Sequence, residues 1–142
     1  DLEVGIVYCP ETAGAQSAAA SIIEAIRSFQ EKTVSGRRVK TSLIEYRGKD
    51  ALQGAVSRGR LKALFILPGC PASACAEITR VTRKAGILSA GASQEQAGAC
   101  GIALSIVREG SRPKVVLNLK AGAAEGKAFS GKLIRISELA GQ

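Results

Sequence analysis

The strongest constraint on the fold is a recurring pair: a short apolar run that stops at a turn signal, then a stretch with helical spacing. Leu2 to Tyr8 is apolar apart from Glu3 and Gly5 and stops at Cys9-Pro10. Leu61 to Leu67 carries only Lys62 among apolar residues and stops at Pro68-Gly69. Near-continuous runs of this kind are expected of strands buried on both faces. After the first run, Ala15, Ala19, Ile22, Ile26 and Phe29 form one stripe, with Ser17, Glu24, Arg27 and Gln30 on the opposite face. Val34-Ser35-Gly36 breaks that helix, and Val39 to Tyr46 reads as the next strand. Gly48-Lys49-Asp50 then leads into a short helix, where Asp50 with Gln53 three residues on resembles a capping box. The run at Leu61 is followed by a helix from about Ala74 to Ala85, with Ile78 and Val81 inward. Gly86 to Ala90 reads as a fourth strand and Gly91 to Ala99 as a polar, glycine-bearing loop.

The ending has a different rhythm. Ile102, Leu104 and Ile106 alternate with small or polar residues, and Val115, Leu117 and Leu119 do the same after Glu109-Gly110-Ser111-Arg112-Pro113. That is an antiparallel hairpin, because the break supplies the glycine and proline a reversal needs. A small-residue connector, Ala121 to Lys127, follows. Phe129, Leu133, Ile136 and Ala140 then fall at helical spacing, with Ser130 placed to cap the start. The whole reads as one α/β domain over residues 1–142, a three-layer sandwich. Its sheet is mainly parallel, with an antiparallel C-terminal hairpin and a terminal helix. Strand one is expected at the centre, flanked by strands two and three, with strand four beyond three and the hairpin extending the sheet, five or six strands in all.

Composition narrows what such a domain does. No apolar run approaches the roughly 18 residues a membrane-spanning helix needs, so no direct membrane insertion is expected. Asp1 stands just before the first strand, which leaves the compartment open. The chain has no His, and aromatic residues make up 4% of it. The commonest general base and metal ligand is therefore missing, and stacking platforms for nucleic acid are scarce. The net charge of +8, from 20 basic and 12 acidic residues, favours an acidic partner. The basic clusters Arg37-Arg38-Val39-Lys40, Arg58 to Lys62 and Arg80 to Lys84 sit on separate elements and read as solvated faces rather than a nucleic-acid groove.

One ending motif resembles a known family. Val116-Leu117-Asn118-Leu119, then Ala121, Ala123, Ala124 and Gly126, then Ser130 with Lys132-Leu133-Ile134-Arg135, is similar to the C-terminal part of the YfiR/HmsC-like family. A weaker likeness runs back through Gly36-Arg37-Arg38-Val39 and Ala63 to Leu67. The family consists of small bacterial periplasmic proteins. The resemblance implies a non-enzymatic periplasmic or secreted regulator that acts by protein contact, holding a membrane-bound diguanylate cyclase inactive and so controlling cyclic-di-GMP signalling. Its partner would be an acidic, membrane-anchored or periplasmic protein, with a homodimer as an alternative. Lys132, Arg135 and Glu138 are the contact candidates, on the outer face of a final helix whose Leu133, Ile136 and Ala140 turn inward. The chain departs from the family in its cysteines, with Cys70-Pro71-Ala72-Ser73-Ala74-Cys75 an addition, and in the loop Gly91 to Gly101.

The four cysteines gather at one edge of the expected sheet. Cys9 and Cys70 each follow a parallel strand, Cys75 begins the next helix, and Cys100 ends the loop leaving strand four. Three readings stand side by side. A compact domain resembling a periplasmic family would pair them as two disulfides, Cys9–Cys70 and Cys75–Cys100. A cytosolic protein would keep thiols, with Cys75 activated by its helix start. A four-thiolate metal site is the third, although structural zinc favours two closely spaced pairs. No catalytic, cofactor or metal residue is assigned: no His stands by to activate a cysteine, no carboxylates pair, and no phosphate loop appears. The alternative function is a small-ligand, anion-binding module resembling one lobe of a periplasmic substrate-binding protein. Its edge residues would be Thr12, Ser73, Ser89 and Ser93, with helix N-termini after Thr12 and Ser73 facing the ligand.

Overall fold

A computed structural model of the chain describes residues 2–11, 14, 17–18, 20–21, 23–24, 33–34 and 36–140. The strands are β1 (Leu2–Tyr8), β2 (Thr33–Val34), β3 (Arg37–Glu45), β4 (Ala63–Ile66), β5 (Leu88–Gly91), β6 (Leu104–Glu109), β7 (Arg112–Leu117) and β8 (Glu138–Leu139). They form one sheet in the order β2-β3-β1-β4-β5-β6-β7-β8. β1 lies parallel between β3 and β4, and β5 and β6 continue the parallel run. The hairpin β6–β7 is antiparallel, with Leu104 opposite Leu117 and Glu109 opposite Arg112. The central order is the expected one. The outermost strand on the hairpin's side is not the hairpin itself, however, but β8, which pairs parallel to β7.

Helices α1 (Lys49–Gly59) and α2 (Ala72–Ala85) pack together on one face of the sheet. Leu52 and Val56 of α1 and Ile78 and Val81 of α2 meet Val7, Leu64 and Ile66 there. Because strand side chains alternate faces, Ile6, Tyr8, Phe65 and Leu67 form a second cluster on the other face, joined by Ile23. Ser17, Ala18, Ala20, Ser21, Ile23 and Glu24 are helical, and of these Ile23 packs against that face. The rest of its expected stripe, Ala15, Ala19, Ile22, Ile26 and Phe29, lies outside the described residues, as does Thr12. Two apolar clusters on opposite faces of one sheet make the three layers. No helix among the described residues is long and apolar enough to cross a membrane.

Gly5 explains why β1 has a gap in its apolar run. A Cβ there would stand 2.8 Å from Ile44 Cδ1, 2.8 Å from Leu64 Cδ2 and 2.9 Å from Leu61 Cδ1. The helix-bearing face thus closes directly on the backbone of the central strand. Gly5→Ala is expected to lower stability by about 1–3 kcal/mol, the usual cost of overpacking, measured as a shift in the urea midpoint with unchanged m-value.

Several local expectations are corrected. The N-cap of α1 is Gly48, with no side-chain cap, so Asp50 lies in the first turn and makes no capping box; there it complements the positive helix end. The real capping box is Ser93 with Gln96, and it starts α3 (Gln94–Gly98) inside the supposed loop. The connector begins with α4 (Leu119–Ala124), whose N-cap Asn118 accepts from Ala121 N over 2.9 Å. The final helix α5 covers only Gly131–Arg135. Ser130 caps it as expected, accepting from Leu133 N over 3.1 Å. It buries no residue: Leu133 is half-buried and Ile136 is 72% exposed. The physical reason is competition from the sheet. Ala140 N donates to Leu117 O over 2.8 Å, and β8 satisfies its backbone on β7 instead of continuing a helix.

Candidate functional site

Topology selects the site. Ile23, which lies between β1 and β3 in the chain, packs on one face of the sheet, while α1 and α2, which follow β3 and β4, pack on the other. Loops that part in this way open a crevice at the carboxyl ends of the two diverging strands, here β1 and β4. Cys9 follows β1 and Cys70 follows the end of β4, and a disulfide joins them across that crevice with a Cα–Cα separation of 5.3 Å. The bridge does not seal the edge. A cavity lies on either side of it, one touching Cys9 and the other touching Cys70.

The first cavity, about 270 Å³, is lined by Cys9, Pro10 and Glu11 after β1, by Tyr46, Arg47 and Gly48 after β3, and by Pro71, Ser73, Ala74 and Glu77 of the start of α2. Gly48 and Pro71 are the N-caps of α1 and α2, and neither supplies a side-chain cap. Both helix N-termini line the cavity, and a helix N-terminus carries orphan N–H groups and a partial positive charge. Arg47 is paired with Glu45, its Nη2 at 2.5 Å from Glu45 Oε2. The Tyr46 hydroxyl donates to the Glu77 carboxylate, joining the β3 end to α2.

Burial, reinforced by the Glu77 carboxylate, pushes the Tyr46 hydroxyl from 10.0 up to about 12. Tyr46 is an acid whose folded pKa exceeds its unfolded one. The stability it lends is therefore intact below the unfolded value of 10.0 and is lost as pH climbs through about 12. Urea unfolding along an alkaline pH series is expected to show this loss in the native chain, and Tyr46→Phe is expected to remove that component of the slope.

The second cavity, about 320 Å³, lies between α2 and α3 and is lined by Pro68, Gly69, Cys70, Ala72, Cys75, Ser93, Glu95, Gln96, Ala99 and Cys100. Buried Gln96 shapes it. Its amide nitrogen donates to Ile66 O over 2.7 Å, and its carbonyl accepts from Ala92 N and Ser93 N over 2.7 and 3.0 Å. One side chain thus ties the end of β4 to the turn after β5. Cys75 and Cys100 are free thiols, so the second expected disulfide is absent. Nor is Cys75 activated by its helix: burial first, then Cys100 and Glu95, push its thiol up to about 12.

The expected site residues divide clearly. Ser73 lines the first cavity and Ser93 the second, while Thr12 lies outside the described residues. Ser89 is not at the edge. It is wholly buried beside Leu64, its Oγ accepting from Ala103 N over 2.9 Å. Its N–H donates to the buried carboxylate of Glu125 over 3.0 Å. Lys132 and Arg135 are exposed on α5, the latter donating from Nε to Gly131 O over 3.3 Å. Glu138 is not free for a partner: it binds Lys114 at 2.9 Å and accepts from Gln94 Nε2 at 2.9 Å. These two neighbours, Gln94 first, lower its pKa. Tyr46, Glu77 and Gln96 are functional candidates that sequence reasoning missed. Only Gln96 had a local signal, three residues after Ser93.

No family model matches this chain, and neither does any curated protein. Solved structures do. The ligand-free, open structure of CD0873, a substrate binding protein with adhesive properties from Clostridium difficile, has a TM-score of 0.68 at 11% identity, over 99% of this chain and 55% of that one. A conserved domain protein from Vibrio cholerae has a TM-score of 0.69 at 14% identity, over 97% of this chain and 54% of that one. An ABC domain in complex with L-Trp, from Streptococcus pneumonia, has a TM-score of 0.62 at 11% identity, over 98% and 56%. The chain spans about half the length of each. At such identities the likeness establishes the fold, an α/β unit of the kind these proteins contain.

Proposed function

We propose that this chain is a small-ligand binding module whose ligand sits at the carboxyl edge of the sheet, on the Cys9 side of the disulfide. The observation that carries the reading is the first cavity at the switch between β1 and β4, in a fold shared with substrate-binding proteins. Two helix N-termini without side-chain caps would receive an anionic group, and Glu11 and Glu77 would face a cationic one. A zwitterion of amino-acid size fits that chemistry. The cavity leaves one side of such a ligand in water, so a second unit of similar size, in the same polypeptide or a partner, would close over it. The disulfide supports a periplasmic or extracellular setting, where such bonds persist.

The test is thermal and chemical unfolding with a panel of amino acids and small dicarboxylates. A member present at a hundred times its dissociation constant adds about 2.7 kcal/mol to stability. Glu77→Gln, which keeps the side chain's shape, is expected to weaken a zwitterion more than a simple anion. If no panel member moves the transition of the chain with its disulfide intact, alone or with a second unit, the reading fails.

A further inference from the structure

Three sulfur-bearing side chains line one cavity. The space between α2 and α3 meets Cys70 of the disulfide together with the free thiols of Cys75 and Cys100. Cys75 is 2% exposed at the end of the first turn of α2, whereas Cys100, just beyond α3, is only half-buried. The two thiols line the same cavity, and Cys100 is near enough to help raise the Cys75 thiol. Cys75 Sγ donates weakly to Cys70 O over 3.9 Å. One reachable thiol beside one sheltered thiol on the wall of one cavity is the arrangement that two-step exchange with a disulfide requires.

We propose that Cys75 and Cys100 are a dithiol couple that reacts with small disulfides entering this cavity. The Cys100 thiolate attacks one sulfur of the incoming disulfide, whose S–S bond breaks. One thiolate leaves and takes up a proton, the counterpart of the one Cys100 gave to water. The Cys75 thiolate then attacks Cys100 Sγ and expels the second small thiolate, which takes up the proton Cys75 released. Two protein thiols lose two electrons, the small disulfide gains them, and a Cys75–Cys100 bond remains. That bond ties the start of α2 to the segment leaving α3 and fixes two walls of the cavity. The titratable groups beside Cys75 are Cys100 and Glu95, and with burial they keep it protonated at neutral pH. The second step is therefore the slow one, expected to accelerate about tenfold per pH unit over roughly pH 7 to 9. The couple stands apart from the ligand reading, since its readout is sulfur chemistry alone.

The experiment incubates the folded chain with glutathione disulfide, blocks remaining thiols by alkylation, and maps the peptides by mass spectrometry. The expected product has lost two further hydrogens, carries a Cys75–Cys100 crosslink, retains Cys9–Cys70, and is restored by a dithiol reductant. Cys75→Ser is expected to stop at a glutathione adduct on Cys100. Cys100→Ser, at a half-buried position outside any helix, is expected to take up nothing and to keep the native circular dichroism spectrum. Full alkylation of both thiols after equilibration overturns the proposal. So does a stable glutathione adduct beside a free Cys75, or a crosslink that replaces the Cys9–Cys70 bond.

Discussion

Replacing Cys9 and Cys70 together by serine is expected to lower the unfolding free energy by about 4 kcal/mol, in the chain-entropy view of disulfides. The bond closes a loop with a sequence separation of 61 residues, so the unfolded chain loses much freedom when it is present. It also joins the two strand ends where the path divides between the faces of the sheet. Without it, the loops after β1 and β4 are free to part, and the wall between the two cavities opens. A denaturant titration of the native and double-serine chains measures the loss, and a larger m-value is expected for the double-serine chain, whose unfolded state is less compact. A loss well under 1 kcal/mol would mean that the unfolded chain already holds these ends together.

Glu125→Ala is expected to cost about 3 kcal/mol, although Glu125 has no ion pair among the described residues. The side chain is 1% exposed, accepting from Thr82 Oγ1 over 2.5 Å and from Ser89 N over 3.0 Å. Removing the carboxylate leaves the Ser89 N–H buried in the middle of β5 without an acceptor. The Thr82 hydroxyl has a second acceptor in Thr79 O at 2.9 Å and suffers less. An unmet buried donor costs about 1–3 kcal/mol, and the emptied space adds to it. Glu125→Gln, which keeps one oxygen for Ser89, is expected to recover most of the loss. Equal midpoints for the Ala variant and the native chain in urea would show that water replaces the carboxylate at no cost.

The two predictions separate what the sequence carries from what it does not. Cys9 and Cys70 were legible because each directly follows a strand expected to be buried, and neighbouring parallel strands end side by side. The same reasoning failed for Cys75 and Cys100, whose positions depend on where α2 and α3 settle rather than on a strand end. α3 was hidden by its length of five residues, too short for apolar periodicity to show, although Ser93 and Gln96 marked its start. In the ending, the strand at Val115 to Leu117 and the Ser130 cap are legible, whereas the small-residue connector hides the helix Leu119–Ala124. The ending's last turn was read as buried helix because Leu133, Ile136 and Ala140 fit that spacing, yet β7 offered their backbone a better set of partners. Glu125 gives no sign at all in a run of alanine and glycine, because the groups that donate to it lie 43 and 36 residues away. The same holds for Tyr46 and Glu77, which are 31 residues apart.

The shortness of β8 has a bearing on how this molecule survives at high concentration. It covers β7 only at Val116 and Leu117, so the rest of the outer strand, from Arg112 to Val115, has no neighbour beyond it among the described residues. An open strand margin invites another molecule to add itself, and rows of such additions grow into fibrils. Here the margin is guarded by what it is made of. Arg112 carries a charge, Pro113 has no N–H to give a foreign strand, and Lys114 is held between Glu109 at 3.3 Å and Glu138 at 2.9 Å. The same three residues that make a weak strand on paper make a poor template for self-assembly.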